Sequence, residues 1–223
     1  MQWKRGELLD SKDRKPKIVV TLGDPAGVGA EVTLRALSEP NLRSIAEWTL
    51  IGDASAVAAA EGSTGVKLDS LQVNFHNAVM LPPDVPVRFG ELRAEYGKAA
   101  AAYVHEATTM CLDGRADAMV TAPLNKEAVT LSGMSFSGHT EYIAEICQAK
   151  ESRMLLAGQQ LSVIHVSTHV SLRDACNLDT DRIVRTIELG NEAMKLLGRA
   201  RPRIATPMRG ACWRRNSYRA RIV

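Results

Sequence analysis

Lys17 to Leu22 (KIVVTL) is a short apolar, β-branched run that stops at Gly23. A run of that kind bounded by glycine predicts a buried strand. GDPAGVGAE follows it, and VTLRAL after that has helical character. The same alternation continues along the chain. Trp48 to Gly52 reads as a second strand, and Asp53 stands where it would cap the helix ASAVAAAEG. Residues 63 to 90 are mixed, with a weak strand in LQVNF and a proline-rich connection, LPPDVPV. Gly97 to Asp113 predicts a helix whose apolar face holds Tyr103, Val104, Ala107 and Met110, stopped by Gly114. Ala118 to Thr121 reads as a strand, and Asn125 to Leu131 and His139 to Lys150 as helices. Met154 to Ala157 and Leu161 to Val166 read as strands paired across a GQQ turn. Asp179 to Leu197 predicts a long amphipathic helix, and Arg203 to Ala205 the start of another strand. Strands alternating with helices predict an α/β fold, a largely parallel sheet with flanking helices.

Composition narrows the function classes. Of 223 residues, 45% are hydrophobic and 24% charged, which excludes a disordered, collagenous or coiled-coil chain. Aromatics are 4%, too few for the stacking platforms of single-stranded nucleic-acid binders. The formal charge of +3 comes from the end of the chain: Thr206 to Val223 holds five of the 28 Lys and Arg residues and no acid, leaving 23 bases against 25 acids elsewhere. A mildly acidic body argues against a nucleic-acid partner. Cys111, Cys147, Cys176 and Cys212 form no CxxC and read as a reduced set. The first 16 residues are polar and lack the apolar core of a secretory signal, so they read as a loose leader. No apolar run approaches the roughly 20 residues that span a bilayer. These features predict a soluble cytoplasmic protein with no membrane partner.

Four stretches offer chemistry. TLGDPAGVGAE (21–31) is a Gly-rich strand-to-helix turn, either a tight structural turn or a place where backbone N–H groups meet an anion, with Asp24 its polar group. It is neither a P-loop nor a GxGxxG turn. SFSGHTEYIAE (135–145) sets His139 and Thr140 at a helix start, beside N–H groups suited to phosphate or carboxylate. The plainer alternative is that Thr140 caps the helix and His139 is exposed. VIHVSTHVSLRD (163–174) carries two histidines four apart, which on a helix could clamp a metal. Its β-branched residues predict a strand, along which four residues span roughly 13 Å, so His165 and His169 would not share an ion. His165 then reads as a core histidine. His169 lies at the strand's C-terminal end, where α/β sheets place ligands, with Arg173 and Asp174 on the loop beyond. TAPLNKEA (121–128) offers Asn125 and Lys126, the lysine either pairing with phosphate or merely solvated.

In order, KIVVTLGDPAGVGAE, GRADAMVTAPLNKEAV, SGMSFSGHTEYIAE, VSTHVSLRDAC and RPRIA resemble the 4-hydroxythreonine-4-phosphate dehydrogenase family, or its D-threonate/D-erythronate 4-phosphate dehydrogenase branch, from about Lys17 to Ala205. The resemblance implies an isocitrate/isopropylmalate-dehydrogenase-like two-lobe plan with the second lobe incomplete. It implies oxidation of a secondary alcohol in a small phosphorylated hydroxy acid by NAD or NADP, the ketone then losing CO₂. It also implies a divalent metal (Zn, Mg, Mn or Co) held by three histidines as a Lewis acid. By similarity His139 and Thr140 contact substrate, His169 is a metal ligand, and the protein is a homodimer with its site between subunits.

The chain departs from that pattern after Ala205. The family continues for roughly another hundred residues, in keeping with a two-lobed plan, and its other metal histidines lie in NPHAG and HDQG-type motifs. Here PRIA runs into TPMRGACWRRNSYRARIV. Thr-Pro-Met-Arg-Gly can be encoded so that the frame starting one nucleotide earlier reads Asn-Pro-His-Ala-Gly. The expectation is therefore a frameshift just after Ala205, with residues 206–223 out of frame; a divergent natural end is the alternative. A non-catalytic remnant lacking two of the three histidines, and a simple phosphate-binding module, are the rival functions.

Overall fold

The structure, a computed structural model, describes residues 14–82, 87–206 and the strand at 221–222. The leader up to residue 13, part of the proline-rich connection, and residues 207–220 of the tail, with Cys212, lie outside the described residues. The chain divides into two compact units, Met1–Lys150 and Glu151–Val223.

The first unit is built on four strands. β1 (Lys17–Thr21) is followed by α1 (Gly29–Ser38) and the short α2 (Pro40–Arg43). β2 (Glu47–Gly52) leads into α3 (Ala54–Thr64), a 3-10 turn at Leu68–Leu71 and β3 (Asn74–Asn77). α4 (Ala94–Leu112), β4 (Ala118–Thr121), α5 (Lys126–Leu131) and α6 (His139–Ile146) complete it. The sheet order is β3-β2-β1-β4, and every pairing is parallel. The expected helix to Lys150 stops four residues early, at Ile146, and Gln148 beyond it adopts a left-handed φ of 51°.

Strand side chains alternate between faces, so β1 and β2 can bury both. Val20, Leu22, Trp48 and Leu50 pack with Leu34 and Leu37 of α1 and Val57 and Ala60 of α3. Val19 and Ile51 face the other way, onto Tyr96, Ala99, Tyr103 and Ala107 of α4. A third flank of α4 meets α5: Ala101 and Val129 pack with Phe136. That crossing depends on Gly97, since a Cβ there would lie 2.1 Å from the carbonyl carbon of Ala128.

The second unit has β5 (Leu155–Leu156) antiparallel to β6 (Val163–Ile164), then α7 (Leu172–Ala175) and α8 (Thr180–Leu196). β7 (Ala205–Thr206) pairs antiparallel with β8 (Arg221–Ile222). α8 matches the predicted helix, with Asp179 capping it through the Asp181 N–H at 3.1 Å. The single strand expected through His165 to His169 is not formed. β6 ends at Ile164, and the chain runs irregularly to Ser171.

Candidate functional site

The strand order fixes where a ligand can enter. From β1 the chain moves outward through β2 to β3, then returns to β4 on the opposite side of β1. The chain thus crosses to opposite sides of β1, and open α/β sheets bind ligands at such a switch point. The loops after β1 and β4 meet through one hydrogen bond, Asp24 N–H to the Pro123 carbonyl at 3.0 Å. Gly23 has φ 70°, and a Cβ on it would lie 2.2 Å from that carbonyl oxygen. Gly29 is equally constrained, its Cβ falling 2.2 Å from the Leu22 oxygen. Gly23 and Gly29 of the GDPAGVG turn thus serve close backbone packing. Asp24 is buried, and its Oδ1 accepts the Ala26 N–H at 2.9 Å. Burial pushes the Asp24 carboxyl up from its ordinary value, against the lowering effect of that bond.

Beyond β4 the elements converge on α6. Asn125 is consumed in capping α5, its Oδ1 accepting from the Glu127 and Ala128 N–H groups at 2.9 and 3.2 Å. Lys126 reaches across to donate from Nζ to the Ser137 carbonyl at 2.5 Å. The N-cap of α6 is Gly138, and no side chain caps the helix. Thr140 therefore does not act as the cap. His139 is half-buried, and its Nε2 is fully buried with no hydrogen-bond partner among the described residues. The Phe136 ring stands edge-on to it, centroids 6.0 Å apart. Burial first, and the Lys126 charge second, hold the His139 imidazole below its ordinary pKa, which favours the neutral ring. A neutral imidazole has one N–H and one lone pair, so it can meet a hydroxyl in either sense.

His165 and His169 belong to the second unit. His165 is not a core residue: it is half-buried, just past β6, with its N–H bonded to the Met154 carbonyl at 3.0 Å. His169 is exposed and has a left-handed φ of 57°. The expected strand geometry between the two is replaced by an irregular segment, pinned where Arg182 Nε donates to the Val166 carbonyl at 2.8 Å. Arg173 and Asp174 lie on α7 rather than on a loop, with Ser171 capping that helix through the Asp174 N–H at 3.2 Å.

Two features escaped the sequence reading. Asp53 precedes α3 but caps it with no side-chain bond. Its Oδ1 instead accepts the Met80 and Leu81 N–H groups at 2.8 and 3.1 Å, and its Oδ2 accepts the buried Tyr103 hydroxyl. Burial, then that bond, raise the Tyr103 phenol far above its usual range. Tyr103 counted only as part of an apolar face, because periodicity does not register a hydroxyl. The second feature is a cavity of about 440 Å³ walled by Tyr142 of α6, Met134, and one face of α4 including Lys98 and His105. Its wall is assembled from separate segments, so no single motif announces it.

A divalent metal finds a poor fit here. Among the described residues no three His, Cys, Asp or Glu side chains stand close enough to hold an ion, and His169 supplies one imidazole. Catalytic divalent ions are held by about three protein ligands. Among the described residues no helix is long and apolar enough to cross a membrane.

Residues 17–207 match the family described as pyridoxal phosphate biosynthetic protein PdxA. A putative D-threonate 4-phosphate dehydrogenase of Symbiobacterium thermophilum is 34% identical over 207 residues, covering 86% of this chain and 62% of the relative. A 4-hydroxythreonine-4-phosphate dehydrogenase of Geobacter metallireducens is 35% identical over 204 residues, covering 86% of this chain and 60% of the relative. The crystal structure of a 4-hydroxythreonine-4-phosphate dehydrogenase from Burkholderia phymatum superposes with a TM-score of 0.73 at 35% identity, over 86% of this chain and 62% of that one. The chain thus spans about three fifths of the length of these relatives.

Proposed function

The chain belongs to the PdxA family, and from that premise we propose that it binds a small phosphorylated hydroxy acid at the start of α6 and serves the oxidation of its secondary alcohol. Two such acids stand in the relatives' names, 4-hydroxythreonine 4-phosphate and D-threonate 4-phosphate. The observation that carries this reading is the uncommitted chemistry at His139 and Thr140. Among the described residues neither His139 Nε2 nor the Thr140 hydroxyl has a hydrogen-bond partner, although both stand at a helix start. A buried polar nitrogen without a partner is costly, and a ligand hydroxyl or phosphate would relieve that cost. The first-turn N–H groups of α6 add a preference for an anionic group.

NAD or NADP, when bound, supplies the hydride acceptor for such an oxidation, and loss of CO₂ from the ketone completes the family chemistry. His139 holds the substrate and, being neutral, can accept or return a proton at a hydroxyl. No step is assigned to a metal, because the described residues do not gather a site for one. The homodimer and the cytoplasmic setting belong to the same reading, and the family resemblance supports them.

Calorimetric titration of the whole chain with the two phosphorylated acids tests the reading, with NADH formation followed alongside in the presence of divalent metals. One of the two acids is expected to bind, and His139→Ala or Thr140→Ala to weaken it about tenfold, as loss of one hydrogen bond does. Failure to bind either acid would overturn the proposal. Inorganic phosphate binding as tightly as both acids would favour a phosphate-binding module instead. Binding without reduction of NAD would favour a non-catalytic member of the family.

A further inference from the structure

We propose that Lys126 is a positioning residue for His139: its ammonium, bonded to the Ser137 carbonyl, fixes the peptide that enters α6 and so sets where the imidazole stands. The proposal rests on the reading that His139 touches substrate, and it reaches a residue one element earlier.

Four observations carry it. The bond from Lys126 Nζ to the Ser137 oxygen, at 2.5 Å, joins the first residue of α5 to the residue two before His139. Among the described residues the acceptor that the Lys126 ammonium finds is this backbone carbonyl. Gly138, between the two, is buried and extended, and a Cβ added to it would lie 2.9 Å from Glu141 Oε2 and 3.6 Å from Lys126 Nζ. The hinge before His139 is thus boxed between these two side chains. Finally, Lys126 occupies the first position of α5, where the helix dipole disfavours a cation. A residue that breaks a local preference has a compensating use elsewhere, and here the bond to Ser137 is that use.

The seat of α5 makes the clamp rigid. Gly97 lets α5 lie against α4, Val129 of α5 packs with Ala101 of α4 and Phe136, and Phe136 meets His139 edge-on. Lys126 therefore acts from a braced helix on a short loop. Its charge also stands close enough to His139 to favour the neutral ring, together with burial.

The test uses the whole chain with Lys126→Met, which keeps the stem and removes the charge, and Lys126→Arg, which keeps a donor. NMR follows the His139 ring titration and the amide resonances of residues 137–139; calorimetry follows the phosphorylated acid that the wild type binds. Lys126→Met is expected to raise the His139 titration midpoint, shift those amides, and weaken ligand binding about tenfold, the scale of one charge-assisted bond. Lys126→Arg is expected to restore most of all three. An unmoved His139 titration with unmoved amides would overturn the proposal. So would weakened binding without those changes, since Lys126 would then touch the ligand directly. If the wild type binds neither acid, the functional reading fails, while the titration and amide shifts still decide whether Lys126 positions His139.

Discussion

The two units hold themselves together by different means. Every buried hydrophobic side chain among the described residues lies in the first unit, from Val19 to Phe136. The second unit leaves Leu161, Leu172 and Leu196 at 74%, 83% and 77% exposure, and the buried positions of α8 are Thr186 and Gly190. Polar contacts take the place of a core there. Arg153 is almost fully enclosed, with Nε on the Thr186 hydroxyl at 2.8 Å, and Arg185 Nε meets Glu151 at 2.6 Å. The cause is strand length and pairing. Four parallel strands of four to six residues present two faces to helices, whereas two-residue antiparallel pairs present almost none. Apolar content alone does not make a core; it must be arrayed on a sheet that helices can cover.

The largest effect should separate the units outright. Leu50→Ala, at a fully buried position, is expected to cost about 2–5 kcal/mol, while Leu172→Ala should stay within about 0.5 kcal/mol. Urea unfolding monitored for each variant checks this, and equal costs would break the comparison. Gly97→Ala comes next, at about 1–3 kcal/mol or somewhat more, because the new methyl overlaps the backbone of α5. Amides of residues 126–139 should lose hydrogen-exchange protection in that variant while β2 keeps its own.

Thr186→Val sharpens the other side of the comparison. It keeps the shape of α8 but removes the acceptor for Arg153, so a cost of about 1–3 kcal/mol is expected, confined to the second unit. Raised salt screens exposed ion pairs in both units, Arg14–Asp117 in the first and Arg185–Glu151 and Arg185–Glu188 in the second, but it should weaken the second more, because that unit has no buried hydrophobic side chains among the described residues to fall back on.

The smallest effects are in pH. Arg14, and then the Lys17 N–H, hold the Asp117 carboxyl down at about 2. Its stabilising contribution is present above the ordinary carboxylate value of 3.8 and is lost as pH falls towards 2. Asp117→Asn should therefore flatten the acid limb of the stability curve of the first unit. Asp24 has the opposite sign. Burial raises its pKa, so the folded state is favoured while it is protonated, and that benefit is lost as pH rises through the raised value. Asp24→Asn, which can still accept the Ala26 N–H, should stabilise the protein at neutral pH; thermal melts across pH check both.

Much of the first unit was legible because its signals are local. β-branched runs ending at glycine marked β1, and an alanine-rich periodic stretch marked α4, to within a few residues. The motif around Gly138 located the start of α6 by its cap position alone. The run from Val163 to Val170 misled because β-branched composition describes a strand's fit to a sheet, and no neighbouring strand pairs with it beyond Ile164. His165 and His169 were therefore assigned a spacing that the backbone does not keep.

The site divides in the same way. Residue types and their order determined by themselves that α6 opens with His139 and Thr140, but they left the GDPAGVG turn open between tight packing and an anion site. Periodicity and capping act over a few residues, so a sequence carries them openly. That Asp53 binds Tyr103 fifty residues away, and that Lys126 bonds to Ser137 rather than to solvent, was decided only by the tertiary structure. Such bonds depend on which helices pack together, and that follows from burial across the whole sheet.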